Sequence, residues 1–111
     1  SKSEWEALLT AVGGQSNAGE ILKSQMGWFT STDEGWFANG NGTDDFGFAA
    51  LPAGLRYLDT FDGVGSNTYF WGSTEYGDNS AYGISLNRDY VNAKLSDLSK
   101  SFAIYVRCVK D

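Results

Sequence analysis

Carboxylates are the main side chains that could perform chemistry in this sequence, because histidine is absent and cysteine occurs once, at position 108. Without histidine, the Ser-His and Cys-His nucleophile pairs and histidine-ligated metal sites are excluded. Cys108 lies in an alternating C-terminal segment, where a small buried side chain or half of a disulfide is favoured over a reactive thiol.

A carboxylate pair of the kind that glycosidases use is the remaining route to catalysis. The acidic residues mostly fall in glycine-rich stretches, where a solvated acid is the usual outcome, and no spacing singles out a pair. We therefore expect a protein without enzymatic activity. The carboxylates considered are Glu34, Asp44, Asp45, Glu75 and Asp78.

Aromatic and amide side chains point instead to ligand binding. Aromatic residues make up 15% of the chain, and many lie beside Asn and Asp between positions 69 and 92. Aromatic rings supply contact area at low entropic cost, and polar groups orient a ligand. Trp71 and Tyr82 lie in the same region, but burial in the core competes with a binding role for both. The predicted ligand-binding residues are Tyr69, Glu75, Tyr76, Asp78, Asn79, Asn87, Arg88, Asp89, Tyr90 and Asn92.

Residues 28–43 form a second aromatic segment, interpreted as a long loop that either faces a ligand or is pinned to the core by its aromatic side chains. Within it, residues 39–45 place oxygen-bearing side chains at alternate positions, as calcium loops do. The stretch lacks the glycine position and the final glutamate of helix-loop-helix calcium sites. Two Asn-Gly turns explain it more simply, so no cofactor is expected, with calcium as the minor alternative.

The net charge of -6 disfavours nucleic acids and anionic membranes as partners. No run of ten apolar residues occurs, so no membrane span is expected. A chain of 111 residues is expected to form one domain, residues 1–111, that buries roughly two-thirds of its unfolded surface.

Two helices are predicted at the N-terminus. Ser1 and Glu4 have the spacing of a capping box, and apolar residues follow Trp5 at i+3, i+4 and i+7, which predicts a helix of about three turns. A shorter second helix is expected to be capped by Ser16 and to continue through Lys23.

Strands are predicted for the rest of the chain. The segment 44–57 is apolar but interrupted by Pro52 and Gly54, which favours a strand, a tight turn and a second strand at the centre of the fold. Residues 58–68 are expected to form a loop. Short connections between the later strands predict an antiparallel meander, and the last strand, apolar on both faces, is expected to be central. These later strands are predicted at residues 69–74, 81–86, 90–95 and 102–109.

The predicted core draws on both helices and on the strands. Polar residues at these positions would leave unsatisfied groups in a packed interior. The predicted core residues are Trp5, Leu8, Leu9, Ile21, Leu22, Phe46, Phe48, Leu51, Phe70, Trp71, Ile84, Leu86, Phe102, Ile104 and Val106.

Several motifs follow one another along almost the whole chain: Glu4-Trp5-Glu-Ala-Leu, Gly13-Gly14, Gly42-Thr-Asp-Asp-Phe-Gly-Phe-Ala-Ala-Leu-Pro-Ala-Gly54, Phe70-Trp-Gly-Ser-Thr-Glu75 and Val106-Arg-Cys-Val-Lys-Asp111. In this order and spacing the chain resembles the Fibrobacter succinogenes major paralogous domain. The resemblance implies an α+β, C-type lectin-like fold, loop-rich, with two helices beside a twisted antiparallel sheet. It also implies a bacterial surface lipoprotein or a secreted protein, and leaves the activity open.

The chain departs from that family's usual pattern at its start. Members usually carry an upstream cysteine and a Gly-Trp-x-Leu-Pro run before the position of Ser1, and the resemblance implies that Cys108 would pair with that cysteine. Without it, Cys108 is expected to be a free thiol. A missing first strand would leave a sheet edge bare, which favours pairing with a separate N-terminal segment or a homodimer.

The expected function is therefore a non-catalytic ligand-binding module, extracellular or at the bacterial cell surface, that presents aromatic and polar loops to a protein or glycan partner. The Glu-Pro-Asn and Trp-Asn-Asp motifs of calcium-dependent sugar-binding C-type lectins are both absent, which weighs against that mode of binding. A structural or assembly role at the surface is the alternative, and a carboxylate-based glycosidase is a third possibility.

Overall fold

The computed structural model describes residues 1–28, 41–104 and 106 of the chain. They form a small α+β domain with two short helices and two three-stranded antiparallel sheets, which confirms the α+β part of the predicted class. Among the described residues, no helix has the length and apolar character needed to cross a membrane. The elements are α1 (Lys2–Ala11), α2 (Gln15–Leu22), β1 (Leu55–Tyr57), β2 (Thr60–Asp62), β3 (Asn67–Tyr76), β4 (Ser80–Asn87), β5 (Ala93–Ser99) and β6 (Phe102–Ala103).

The capping box predicted for α1 is present, since the Ser1 hydroxyl accepts a hydrogen bond from the Glu4 backbone N–H and the Glu4 side chain reaches back to residue 1. The predicted cap of α2 is wrong. This helix begins after Gly14, whose φ of 97° turns the chain so sharply that Ser16 already lies inside the first turn.

The main sheet has the strand order β3-β4-β5, with antiparallel pairing throughout, so the predicted meander is confirmed. Its third strand begins at Ala93 and not at Tyr90. Residues before Ala93 form a turn instead, because the Asn87 side chain accepts a hydrogen bond from the Asp89 N–H and the Arg88 N–H bonds to Ser66.

The second sheet has the order β2-β1-β6. Its strand β2 lies within residues 58–68, which were predicted to be a loop, and it pairs with β1 through a two-residue turn. The described part of the last predicted strand is also different. Among the described residues, strand β6 pairs with β1 alone and so lies at the edge of this sheet. Its Phe102 contacts the ring of Tyr57 edge-on and is only half-buried.

Only the second of the two strands predicted in residues 44–57 forms. Residues 44–47 make a turn, and the chain then runs alongside the end of α2, with Ala50 receiving a hydrogen bond from Ser24 and donating one to Leu22. Ala50 and Pro52 are buried, whereas Leu51 between them points outward.

The core lies between the two helices and one face of the main sheet. At its centre, Trp5, Phe48 and Phe70 contact one another with ring centroids 5.6–6.4 Å apart. Trp28, which was not in the predicted core, is buried with its indole N–H bonded to Ser24 and Ala50. The predicted core residues that the structure shows buried are Trp5, Leu9, Leu22, Phe70, Ile84 and Leu86; Leu8, Ile21 and Phe48 are partly buried and pack against them.

Three predicted core residues are exposed: Phe46, Leu51 and Val106 are 67%, 60% and 66% accessible. Phe46 lies on the tight turn and Leu51 faces away from its buried neighbours, whereas Val106, beyond the end of β6, only borders an open groove beside α1. Trp71, Phe102 and Ile104 are only half-buried.

Candidate ligand-binding cleft

A polar cleft of about 390 Å³ lies at the end of the main sheet where β3 begins and β4 ends. Two tyrosines, three asparagines, a serine and a lysine contribute to it, and the one apolar residue at its border, Leu86, is itself buried in the core. The residues that line the cleft are Asn67, Tyr69, Ser85, Leu86, Asn87, Tyr90, Asn92 and Lys94.

The register of the main sheet brings several of these residues onto one face. Tyr69 lies opposite Ser85, Ser85 lies opposite Lys94, and Asn67 lies opposite Asn87. Directly paired residues of antiparallel strands point to the same face, and their sequence neighbours point to the other. The neighbours include Thr68 and Leu86, which are buried towards the helices, so the cleft floor is the outer face of the sheet.

Helix α2 and the residue after it hold the cleft rim, which we define as residues 87–92. The Lys23 side-chain nitrogen donates hydrogen bonds to the carbonyl oxygens of Asn87 and Tyr90, at 3.1 and 3.2 Å. The Glu20 N–H donates to the carbonyl oxygen of Val91 at 2.9 Å. Because Lys23 is only 3% exposed, these bonds are shielded from competing water.

The Asn87 side chain is fixed by two hydrogen bonds. Its Oδ1 accepts from the Asp89 N–H at 2.8 Å, and its Nδ2 donates to Oδ1 of Asn67. One amide therefore ties the rim to the first residue of β3, so that both walls of the cleft have a set orientation before any ligand arrives.

Burial changes the acid-base properties of two groups at this end of the domain. It lowers the pKa of Lys23, although the nearby carboxylates of Glu20 and Asp89 partly offset this effect. Burial, helped by the negative charge of Asp62, raises the pKa of Tyr69 above its ordinary value. The Tyr69 hydroxyl therefore stays protonated at neutral pH and can both donate and accept a hydrogen bond.

Six of the ten predicted ligand-binding residues lie together at this end of the sheet. Arg88 and Asp89 lie on the rim and face each other, with Arg88 Nε 3.6 Å from Asp89 Oδ1. That carboxylate oxygen is buried and has no hydrogen-bond partner among the described residues. The remaining four of these six predicted residues line the cleft itself: Tyr69, Asn87, Tyr90 and Asn92.

The other four lie at the hairpin between β3 and β4, roughly 20 Å away at the rise of a β-strand. There Glu75 forms an ion pair with Lys100 at 3.1 Å, and the ring of Tyr76 packs edge-on against Tyr82 at 5.4 Å. Asp78 and Asn79 are exposed on the turn. One small ligand cannot contact both groups.

Asn67, Ser85, Leu86 and Lys94 line the cleft but were not predicted. Asn67 lay in the expected loop, and Lys94 lay in a strand whose start was misplaced. Asn67 could have been predicted from its two-residue spacing to Tyr69, since alternate residues of a strand share a face.

Two of the oxygen-bearing side chains considered for calcium accept hydrogen bonds from the backbone. Asn41 Oδ1 accepts from the Trp28 N–H at 2.9 Å, and Asp44 Oδ1 accepts from the Ala49 N–H at 2.8 Å. Within residues 1–28, 41–104 and 106, no three acidic or cysteine side chains group together as a metal site. Several sequence predictions lie outside the described residues: those for Glu34, for Cys108 and for residues 29–40 of the aromatic segment.

A second concavity, an apolar groove of about 870 Å³, runs between α1 and β3. The indole N–H of Trp5 donates to the carbonyl oxygen of Trp71 at 3.2 Å and so ties the helix to the strand. The groove is lined by Ser1, Glu4, Trp5, Ala7, Leu8, Ala11, Phe48, Trp71, Gly72, Ser73 and Val106.

The fold and the cleft define a small α+β domain with a preformed polar site on the outer face of its main sheet. The chain belongs to the Fibrobacter succinogenes major domain family, whose model matches residues 1–110. This match confirms the resemblance seen in the sequence. Searches of the curated proteins and of the solved structures return no match.

Proposed function

We propose that this domain is a non-catalytic binding module that holds a saccharide in the polar cleft. The supporting observation is the composition of the cleft, where amides, hydroxyls and one ammonium surround two tyrosine rings. Amides and hydroxyls both donate and accept hydrogen bonds, as sugar hydroxyl groups require. Tyrosine rings add apolar contact area with a polar end.

The way in which α2 holds the rim supports the same proposal. Lys23 bonds to the carbonyl groups at both ends of the turn from Asn87 to Tyr90, and Asn87 is bonded to Asn67 across the cleft. A site that is ordered in advance loses less conformational entropy when it binds. The carbonyl oxygens of Asn87 and Tyr90 already accept hydrogen bonds from the Lys23 side chain, which supports our proposal that the rim binds its ligand without calcium.

We further propose that the domain is C-type lectin-like and acts outside the cell or at the bacterial cell surface, where saccharides are accessible. Two helices packed on one face of an antiparallel meander support the first part of this proposal. The second part rests on the family resemblance alone.

A binding screen with matched variants tests the proposed site. Isothermal titration against neutral and acidic oligosaccharides should detect binding, with and without a calcium chelator. Tyr69→Phe and Asn92→Ala should each weaken binding about tenfold, because each removes hydrogen bonds inside the cleft. Tyr76→Phe and Asn79→Ala make the same changes at the far hairpin and should leave the affinity unchanged. If only Tyr76→Phe and Asn79→Ala weakened binding, the binding site would lie at the hairpin and not in the cleft.

A second candidate function is assembly with another polypeptide, which the apolar groove favours. Exposed Ala7 and Ala11 on α1 border an apolar groove that also includes the half-buried Leu8 and Trp71, and such surfaces are typical of protein contacts. Sedimentation velocity over a concentration series tests self-assembly. Ala7→Glu should abolish any concentration-dependent association, whereas Asn17→Glu on the exposed face of α2 should not. A wild-type monomer at all concentrations would contradict self-assembly.

A further inference from the structure

We propose that the cleft selects saccharides that carry a carboxylate, and that the Lys94 ammonium binds this carboxylate. The inference rests on the proposed function and adds to it the chemical class of the ligand.

The charge distribution singles out Lys94. The chain carries fourteen acidic and eight basic residues, so a cation without an acidic partner is unexpected. Lys23 is buried and bonded to backbone carbonyls. Within the described part of the chain, the Lys94 side chain has neither an ion pair nor a hydrogen bond, and it lines the cleft. The described basic side chains that do have a carboxylate partner are those of Lys2, Arg56, Arg88 and Lys100.

The position of Lys94 suits a substituent on a bound ring. Tyr69, Ser85 and Lys94 form one row across the three strands, so Lys94 starts roughly 10 Å from Tyr69, two strand spacings away. A ring that lies over Tyr69 and Ser85 would direct a substituent along this row towards the ammonium. The hydroxyl groups of Tyr69 and Ser85 therefore lie at one end of this row, and the charge of Lys94 lies at the other.

One ammonium fits a singly charged carboxylate better than a phosphate. Phosphate monoesters carry close to two negative charges and are usually met by several cations or by the planar fork of arginine. Arg88, on the cleft rim, already faces Asp89. The net charge of -6 repels anions at long range, so the preference must come from short-range contact with Lys94.

Pairs of oligouronates and their methyl esters provide the test, because esterification removes the charge and keeps the ring. Trigalacturonate and trimannuronate, each beside its ester, are titrated into the wild-type protein. The acid should bind about tenfold more tightly than its ester. Lys94→Gln should remove this difference, Lys94→Arg should retain it, and Lys100→Gln, at the far end of the sheet, should not affect it. Melting temperatures of the variants verify that each one folds.

Each outcome decides between the two proposals. Equal binding of acid and ester, still weakened by Tyr69→Phe and Asn92→Ala, would overturn the carboxylate inference and leave saccharide binding intact. Binding of neutral saccharides only would do the same. A preference for the acid that persists in Lys94→Gln would overturn the role of Lys94. Failure of every saccharide, acidic or neutral, would overturn both proposals.

Discussion

Gly19 of α2 lies directly against the main chain of Asn92 in the cleft rim. A Cβ atom at position 19 would be 2.7 Å from the carbonyl carbon of Asn92 and 2.8 Å from the carbonyl oxygen of Val91, and closer still to the Asn92 oxygen. The helix and the rim can approach this closely only because residue 19 has no side chain. The adjacent hydrogen bond from the Glu20 N–H to Val91 depends on the same approach.

Gly19→Ala should therefore destabilise the domain although alanine is the better helix former. We expect a loss of about 2 kcal/mol in the free energy of unfolding, because the backbone of the rim cannot yield as a flexible side chain would. Urea denaturation measures this loss. Asn17→Ala, at an exposed position of the same helix, should be neutral or slightly stabilising. Equal stability of Gly19→Ala and wild type would show that the rim moves freely.

Lys23→Met should lower stability by an amount that grows with pH. The variant leaves the carbonyl groups of Asn87 and Tyr90 without their donor, which should cost about 2 kcal/mol at neutral pH. The pKa of Lys23 is lowered by burial, so between its folded value and the ordinary 10.5 the unfolded chain binds more protons than the folded one.

Over that window the wild type gains stability from Lys23 as the pH rises, and the variant does not. Urea denaturation of both proteins from pH 7 to pH 10.5 measures the difference between them. A difference that stays constant, or that shrinks towards high pH, would contradict the burial effect on Lys23.

Two phenylalanines in one short segment should respond differently to truncation. Phe48 packs edge-on against Trp5 and Phe70, so Phe48→Ala should cost about 3 kcal/mol of unfolding free energy. Phe46 is 67% exposed, so Phe46→Ala should change stability by less than about 0.5 kcal/mol. Thermal unfolding of the two variants measures the contrast. Similar losses would mean that Phe46 also packs in the core.

Leu58→Asn should stabilise the hairpin between β1 and β2. Leu58 has a φ of 55°, in a region that costs a leucine about 1 kcal/mol and that asparagine tolerates. Little burial is lost, since Leu58 is 72% exposed. We expect the free energy of unfolding, measured by thermal unfolding, to rise by about 0.5 kcal/mol. Leu51→Asn, at an exposed leucine without a positive φ, should give no gain, and a gain in both would point to a general effect of surface polarity.

The sequence alone determined the features that depend on neighbours along the chain. The capping box of Ser1 and Glu4 and the apolar spacing after Trp5 predicted α1, because helix contacts join residues three and four apart. Alternating residues and short turns likewise predicted β3, β4 and their antiparallel pairing. The turn from Asn87 to Tyr90 was recognised as a place for binding residues, although its last residue was assigned to a strand.

Only the tertiary structure decided which distant residues meet. It separated Tyr76 from Tyr69 by most of a strand, brought Lys94 into line with Tyr69 across β4, and placed Lys23 beneath the rim. It also exposed Phe46 and Val106, whose apolar surroundings in the sequence predicted burial. Strand register and helix packing arise from contacts between residues far apart in the chain, and the pattern within any one segment does not specify its partner.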